Sequence, residues 1–545
     1  MKSKRIILFT FIAFSIFGNL FAQKPGWAVT PPMGWNSWNH FGQNINEKLI
    51  MEIADGMVSS GMKDAGYEYV VIDDGWELGL AKSLINDKET SGRAANGTIL
   101  VDTVKFPHGI KYLADYVHSK GLKFGIYTSP GPATCGGHTG SEGYEEKDVN
   151  TFAEWGADFI KLDWCSCTKD GKEVLTKWRE ALNKASRPIV LSANTLKLFD
   201  WLPEYGDMWR TSGDIQATWI SDPFKFKIFP GISDVIFMNA YSPIRQKPSA
   251  WNDPDMLQVC NWDLPLEESK SHFSLWAMFG APLIAGNDLR NMSPEAIKIL
   301  TNREVIEVDQ DPLGHQGVMI KGQKYGTQLW AKKLLQYSDY AVLLLNNNAD
   351  SATVTFSAAD LGLNGPVFLR DLWKHKDIGM YSAAYSVKIP AHGVAMLKLT
   401  ANEYPVKLPE FKVPELPVGT VIEAEDAYEF QAGYQANQVK GFTGSGYVMG
   451  QNHDWAGLYV AWRYLIPAKV SYKITIRYFN PTKESLLYAC NGQKIVLMPC
   501  KKDKWNTVSA IINLEKGLQS ISISSELCQK NTVAIDNVLF EIFLN

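Results

Sequence analysis

Short, continuous apolar runs alternate with amphipathic stretches from about residue 31 to residue 300. The clearest runs are 69–72 (YVVI), 123–127 (KFGIY), 158–162 (DFIKL) and 188–191 (PIVL). Runs of this kind fit parallel strands buried on both faces, whereas a half-exposed strand would alternate apolar with polar. Between them, residues 47–59, 109–119 and 173–184 space their apolar side chains as an amphipathic helix does. Strand followed by helix, repeated over roughly 280 residues, predicts an α/β fold, a (β/α)8 barrel across residues 23–308. The texture then changes. Within 309–402, residues 328–331, 340–345 and 395–398 read as strands parted by Gly, Asn and Asp turns, which predicts a small antiparallel β domain. Residues 403–418 carry Pro405, Pro409, Pro414 and Pro417 without helical period and read as a semi-rigid linker. Evenly spaced short strands over 419–545, such as 472–478, predict a C-terminal β-sandwich.

The first residues follow a different logic. Lys2, Lys4 and Arg5 precede an apolar run over 6–17, and Leu20, Phe21 and Ala22 precede Gln23. That is the layout of a cleavable export signal over residues 1–22. The run falls short of the roughly 20 apolar residues that span a bilayer, no cysteine follows it closely enough to carry a lipid anchor, and no later stretch is long and apolar enough to span. The expected location is therefore periplasmic or extracellular, where disulfides are permitted. The formal charge is −4, and three units more negative without the leader. A mildly acidic chain with no basic run lacks the electrostatic footprint of nucleic-acid binding. The richness in aromatic residues suits the C–H faces of sugars and equally suits aromatic cores.

In such barrels chemistry sits where strands end and the following loops begin. Here the expected ends carry Asn36 and Trp38, Asp73 and Asp74, Tyr127, Lys161 and Asp163, Asn194, Arg210 and Asp214, then Asp253 and Asp255. One aspartate at a strand end often caps the next helix. Trp35 and Trp76 can as well be core residues, and His138 reads as a loop residue. The full set is different, because gathered carboxylates repel one another and cost desolvation unless cations, hydrogen bonds or a ligand compensate. It suits a polyhydroxylated ligand: carboxylates accept from hydroxyls, indole rings pack on a ring face, and a pair of acids can cleave a glycosidic bond. No His/Cys/Asp spacing in the barrel suggests zinc.

These residues, in their order from Thr30-Pro31-Pro32-Met33-Gly34-Trp35 to Asp309-Gln310-Asp311-Pro312-Leu313-Gly314, closely resemble glycoside hydrolase family 27, which holds α-galactosidases and α-N-acetylgalactosaminidases. The resemblance implies a retaining exo-glycosidase. It makes Asp163, in Lys-Leu-Asp-Trp-Cys, the nucleophile and Asp214, in Trp-Arg-Thr-Ser-Gly-Asp-Ile, the acid/base. Trp38, Asp73, Asp74, Tyr127, Lys161, Arg210 and Asp255 match its sugar pocket, and Cys135 and Cys165, in two loops expected to adjoin, match a disulfide beside the nucleophile. Cys490 and Cys500 form a second candidate pair. Lys161 and Arg210 are expected to help keep Asp163 ionised, and no metal or organic cofactor is expected for the chemistry. One departure bears on the substrate. Where α-galactosidases of the family commonly end the fifth strand in Cys-Glu-Trp, this chain has Ala193-Asn194-Thr195. Asn194 can donate and accept but carries no charge, which leaves galactose, N-acetylgalactosamine and β-L-arabinopyranose open at the sugar's 2-position. Residues 221–250 match no short family loop and are expected to reshape the pocket rim.

The last segment opens with Glu423-Ala424-Glu425 and closes with Ile535-Asp536-Asn537. It looks like carbohydrate-binding module families 6 and 35, which implies a structural calcium held by Glu423, Glu425 and Asp536, an all-oxygen set suited to that ion. A solvated pair of edge charges is the alternative. Asp454 and Trp455 are expected in a loop able to touch glycan. Two further classes compete with an enzyme: a non-catalytic glycan-binding protein on a decayed barrel, and a structural surface protein. Intact Asp163 and Asp214 speak against both.

Overall fold

A computed structural model describes residues 27–79, 92–195, 198–220, 229–240, 242, 246–322, 326–336, 338–402, 408, 414–427, 429–431, 433–450, 458–502, 504–525 and 533–543. The leader, most of the proline-rich segment, and Asp454 with Trp455 lie outside these. Among the described residues no helix is long and apolar enough to cross a membrane.

Eight parallel strands form the first layer: β1 (Met33–Asn36), β2 (Tyr69–Val71), β3 (Lys123–Thr128), β4 (Phe159–Asp163), β5 (Val190–Asn194), β6 (Met208–Arg210), β7 (Trp251–Asp253) and β8 (Leu283–Ala285). Their order runs β7 to β1 and on to β8. The ring closes through a parallel bridge between Leu257, beyond β7, and Ala285. There Leu257 N donates to Ile284 O (2.7 Å) and Gly286 N donates to Leu257 O (2.9 Å).

The two-residue period of a strand explains both the apolar runs and the site. On β4, Ile160 and Leu162 face the outer helices and join the main core, while Phe159 joins a small inner cluster with Tyr69, Val71, Val190, Met208 and Trp251. Lys161 and Asp163 continue Phe159's inward series. The same climb from apolar floor to polar mouth gives Val71 then Asp73, Val190 then Ser192 and Asn194, and Met208 then Arg210. Gly125 on β3 leaves room for this floor: a Cβ there would meet Val71 Cγ2 at 2.7 Å and Phe159 Cβ at 3.2 Å.

The outer helices Glu47–Ser59 and Gly109–Ser119 bury one apolar stripe each, at the predicted residues. The third begins at Gly171 rather than residue 173, because the Asp170 carboxylate caps it, accepting from Lys172 N and Glu173 N at 3.0 Å each. Residues 221–250 include a helix, Ile232–Ala240, that is buried throughout, with Met238 against Ala461 and Tyr459. Its described part packs against the loop after β6, where Gln216 N donates to Pro230 O (2.9 Å) and Thr211 Oγ1 to Asn239 Oδ1 (2.8 Å).

Residues 318–401 add a six-stranded antiparallel sheet and a two-stranded ribbon. In the run 340–345, Tyr340, Val342 and Leu344 form that sheet's own core while Ala341, Leu343 and Leu345 complete the barrel's. Residues 421–542 form two further antiparallel sheets of six and five strands with a separate core. Cys490 is wholly buried there, and Cys490 and Cys500 are both free thiols. Their expected pairing is therefore corrected: Cys490 points into the sandwich core, where burial pushes its thiol up to about 12, while Cys500 Sγ sits 3.8 Å from Tyr478 O.

Candidate active site

Side chains of β1, β2 and β4 to β7 meet in one pocket at the C-terminal mouth of the barrel. Asn36, Lys161, Ser192, Asn194, Arg210, Asp253 and Asp255 line it above Val71, Phe159 and Met208. Asp163 adjoins it through one of its lining residues, Asn194. Asp163 Oδ2 accepts from Tyr127 Oη (3.0 Å), and its Oδ1 accepts from Asn194 Nδ2 (2.8 Å) and from Trp164 N (3.0 Å). The bond to Asn194 follows from register, since β4 and β5 pair Asp163 with Asn194. Asp214 is different. It lies beyond β6 with its side chain 43% exposed, and its Oδ1 accepts from Arg210 Nη2 at 3.1 Å. The two carboxylates are close enough for Asp214 to act electrostatically on Asp163.

Charge in the pocket is shared rather than paired one to one. Lys161 Nζ donates to Asp73 Oδ2 (2.7 Å), which also accepts from Asn36 Nδ2 (2.8 Å). Burial disfavours the Lys161 ammonium, yet the carboxylates of Asp73, Asp163, Asp214 and Asp255 outweigh it and hold the lysine above its ordinary pKa. Arg210 bridges Asp214 and Asp255, lying 3.2 Å from Asp255 Oδ2, and stays firmly charged by the same balance. For Asp163 the balance falls the other way. Burial raises its pKa, Lys161 opposes, and Asp214 and Asp73 add to the rise before Arg210 lowers it. The expected help from Lys161 and Arg210 is thus present in sign but is outweighed by burial and by the neighbouring acids.

Asp74 carries a distinct job. It accepts from Thr134 Oγ1 (2.9 Å) and Gly136 N (2.5 Å), tying the loop after β3 to the loop after β2. Burial is the main cause that pushes its pKa up. Asp255 has φ 84°, a left-handed backbone that non-glycine residues adopt only under constraint. Trp276 Nε1 holds its carbonyl (2.7 Å) and its Oδ2 accepts from Ile215 N (2.7 Å). Burial raises the Asp255 carboxyl to about 6 despite Arg210. Trp38 opens a short helical turn beside Asn36, its N–H donating to Asn36 Oδ1 (2.9 Å).

Cys135 and Cys165 are joined, with Cα atoms 5.0 Å apart, linking the loops after β3 and β4. Cys135 Sγ lies 3.8 Å from Asp163 Oδ2 and Cys165 Sγ lies 3.5 Å from Tyr127 Oη. Because the two sulfurs are bonded to each other, this cluster offers no thiolate to a metal. Trp35 and Trp76, left open above, are fully buried, and their indoles donate to Asn287 O (2.7 Å) and Tyr127 O (3.0 Å). They are core residues. His138 bonds Gly79 O (2.8 Å) from its loop.

In the C-terminal domain, Glu423, Glu425 and Asp536 gather around the turn 443–446. Thr443 Oγ1 lies 2.7 Å from Glu423 Oε2 and 3.1 Å from Asp536 Oδ2, and Arg477 pairs with Asp536. Glu425 Oε1 accepts from Ser445 N (2.6 Å) and Gly446 N (2.9 Å). Its Oε2 is buried without a hydrogen-bond partner among the described residues. Burial, then Glu425, Asp536 and Asp426, raise the Glu423 carboxyl against the Thr443 hydrogen bond.

Comparison with known proteins agrees with this geometry. Residues 30–311 match a family model described as "Alpha galactosidase A", and residues 324–399 match one described as "Alpha galactosidase C-terminal beta sandwich domain". The chain is 40% identical over 405 residues to the "Probable alpha-galactosidase" of Dictyostelium discoideum, covering 72% of this chain and 98% of that one. It is 40% identical to "Alpha-galactosidase A" of Cellvibrio japonicus, covering 68% and 92%. The solved structure of α-galactosidase I from Mortierella vinacea superposes with a TM-score of 0.64 at 34% identity, over 70% of this chain and all of that one.

Proposed function

Because this chain belongs to the α-galactosidase family, glycoside hydrolase family 27, and is a glycosidase of that type, we propose that Asp163 and Asp214 carry out a retaining double displacement on terminal α-galactosides. In the first step an Asp163 oxygen attacks the anomeric carbon, the glycosidic bond breaks, and the Asp214 proton goes to the departing oxygen. Asp214, left as carboxylate by that transfer, then takes a proton from water as that water attacks the same carbon. The ester bond breaks and Asp163 leaves as carboxylate. The observation that carries this reading is the contrast between the two acids, one partly buried and held by three donors and the other half-exposed on Arg210. Such chemistry needs no cofactor.

The remaining pocket groups are assigned to the sugar: Trp38, Asp73, Asp74, Tyr127, Lys161, Asn194, Arg210 and Asp255. With purified protein and the nitrophenyl glycosides of α-galactose, α-N-acetylgalactosamine and β-L-arabinopyranose, the α-galactoside is expected to give the highest kcat/KM. A higher value for either of the others would move the assignment at the 2-position. Asn194 also bears on the nucleophile. Asn194→Asp would replace a donor to Asp163 with a like charge at the same 2.8 Å, raising the Asp163 pKa further. Because Asp163 must be ionised to attack, the acidic limb of the kcat/KM profile should move to higher pH, and an unmoved limb would contradict the assignment.

The leader assigns the enzyme to the exported fraction, and the C-terminal domain is assigned to sugar binding. For the C-terminal cluster we propose a calcium ion held by Glu423, Glu425 and Asp536, supported by the unpartnered Glu425 oxygen and opposed by the Arg477 guanidinium on Asp536 and by carboxylates that do not all approach within 4.8 Å of one another; it would tie the first and last strands of the sandwich together. Calcium at a hundredfold excess over its Kd should add about 2.7 kcal/mol to the stability of the domain. Calorimetry should show its transition several degrees higher with calcium than with EDTA, and coincident transitions would exclude the site.

A further inference from the structure

The loop after β7 leaves the pocket at Asp255 and ends in an exposed tryptophan. Trp262 is 61% exposed, although an indole is among the largest apolar groups a chain can bury. It is also held there at a conformational cost, since Asp255 (φ 84°), Cys260 (φ 50°) and Trp262 (φ 52°) all take left-handed backbone within eight residues. The loop is not loose. Gln258 N donates to His272 Nε2 (2.9 Å), Cys260 N to Ser269 Oγ (2.9 Å), and Asn261 Nδ2 to Gly286 O (3.2 Å) just past β8.

The indole face is presented, not merely left over. It stacks on His40 with centroids 5.1 Å apart and planes 19° from parallel, and its Nε1 lies 3.3 Å from Asn39 O. His40 Nδ1 in turn contacts Asn261 Oδ1 at 2.8 Å. These contacts join the loops after β7 and β1 on the mouth side of the barrel, with Trp38 at one end and Asp255 at the other. Asp255 touches Arg210, and Arg210 touches Asp214. The platform therefore lies on the rim of the mouth, between the loops after β7 and β1. A departing sugar must lie at the mouth, outside the pocket that takes galactose.

We propose that Trp262, backed by His40, is a binding platform for the leaving-group sugar of an α-galactoside, the C–H face of a pyranose packing on the indole. This rests on the double-displacement reading above, and the test keeps the two apart. Trp262→Ala and Trp262→Phe are assayed beside wild type on α-galactosyl fluoride, which has no leaving sugar, and on a galactosylated mannobiose. Trp262→Ala should lower kcat/KM on the oligosaccharide about tenfold, a loss of the size seen when one aromatic stacking face is removed, and leave the fluoride unchanged. Trp262→Phe should retain most of the wild-type value. Inhibition by free mannobiose should weaken in the same proportion. Equal losses on both substrates would show a structural role and overturn the proposal, as would no loss on either. A wild-type dimer that light scattering shows to dissociate on Trp262→Ala, with no selective loss on the oligosaccharide, would also overturn it and make the indole a contact between copies. Failure of wild type to hydrolyse the fluoride would instead sink the underlying catalytic reading.

Discussion

Asp163→Asn should leave a folded protein that turns over no galactoside at a useful rate. Removing a nucleophile that forms a covalent intermediate typically costs kcat about 10⁴-fold or more, because neither step of the displacement has a substitute pathway of similar barrier. The asparagine oxygen can still accept from Asn194 and Trp164, and its amide N–H can donate to the Tyr127 hydroxyl, so the pocket keeps its shape. The folded-state pKa of Asp163 lies above its ordinary value. The native chain therefore holds that proton more tightly than the unfolded chain and loses stability as pH rises through the folded value. A neutral asparagine removes this cost, so Tm at neutral pH should be unchanged or higher while activity disappears. A 2-deoxy-2-fluoro galactosyl fluoride should label wild type on the peptide carrying Asp163 and leave the variant unlabelled. Residual activity within tenfold of wild type, or label on another carboxylate, would reject the nucleophile assignment.

Asp214→Asn is expected to fail in a way that depends on the leaving group. General acid catalysis contributes about 10²–10⁴-fold, and most where the departing oxygen is basic. A galactosylated sugar should lose about that much, whereas α-galactosyl fluoride, whose leaving group needs little protonation, should form the glycosyl-enzyme nearly as fast as before. With no base to activate water, the second step should then limit turnover, and added azide should restore the rate and give the azide of retained configuration. Equal losses on fluoride and sugar, with no azide rescue, would mean that Asp214 orients Arg210 and is not the acid/base.

The barrel was legible because its strands are buried on both faces, which writes continuous apolar runs into the sequence at 69–72 and 123–127. It was less legible where strands shrink to three residues. β8 (Leu283–Ala285) lies in a segment whose neighbours Phe279 and Leu289 are also fully or nearly buried, so no change of pattern marks it. Polar residues at strand ends located Asp73, Lys161, Asp163 and Arg210, since only a site justifies ionisable groups on an inward series. What pairing and packing decide was out of reach. The Asn194 bond to Asp163 requires the β4–β5 register. The balance that raises the Asp163 pKa requires knowing how far it is buried. The left-handed backbone at Asp255 and Trp262 has no signal in residue types that ordinarily avoid it. Cysteine pairing divides the same way, with Cys135 and Cys165 readable from adjoining loops, and Cys490 and Cys500 separable only once one of them is seen in a core.

The cystine beside Asp163 also ties the wall of the pocket to the redox state of its surroundings. It closes a loop of about thirty residues, a constraint that removes roughly 3–4 kcal/mol of disorder from the unbridged chain, and it does so between the loops after β3 and β4, beside Tyr127 and the carboxylate proposed as nucleophile. In a thiol-rich compartment those sulfurs stay reduced, and the wall of the pocket lacks its fastening. Turnover should therefore follow redox surroundings: protein held in excess thiol is expected to lose activity and to regain it when reoxidised.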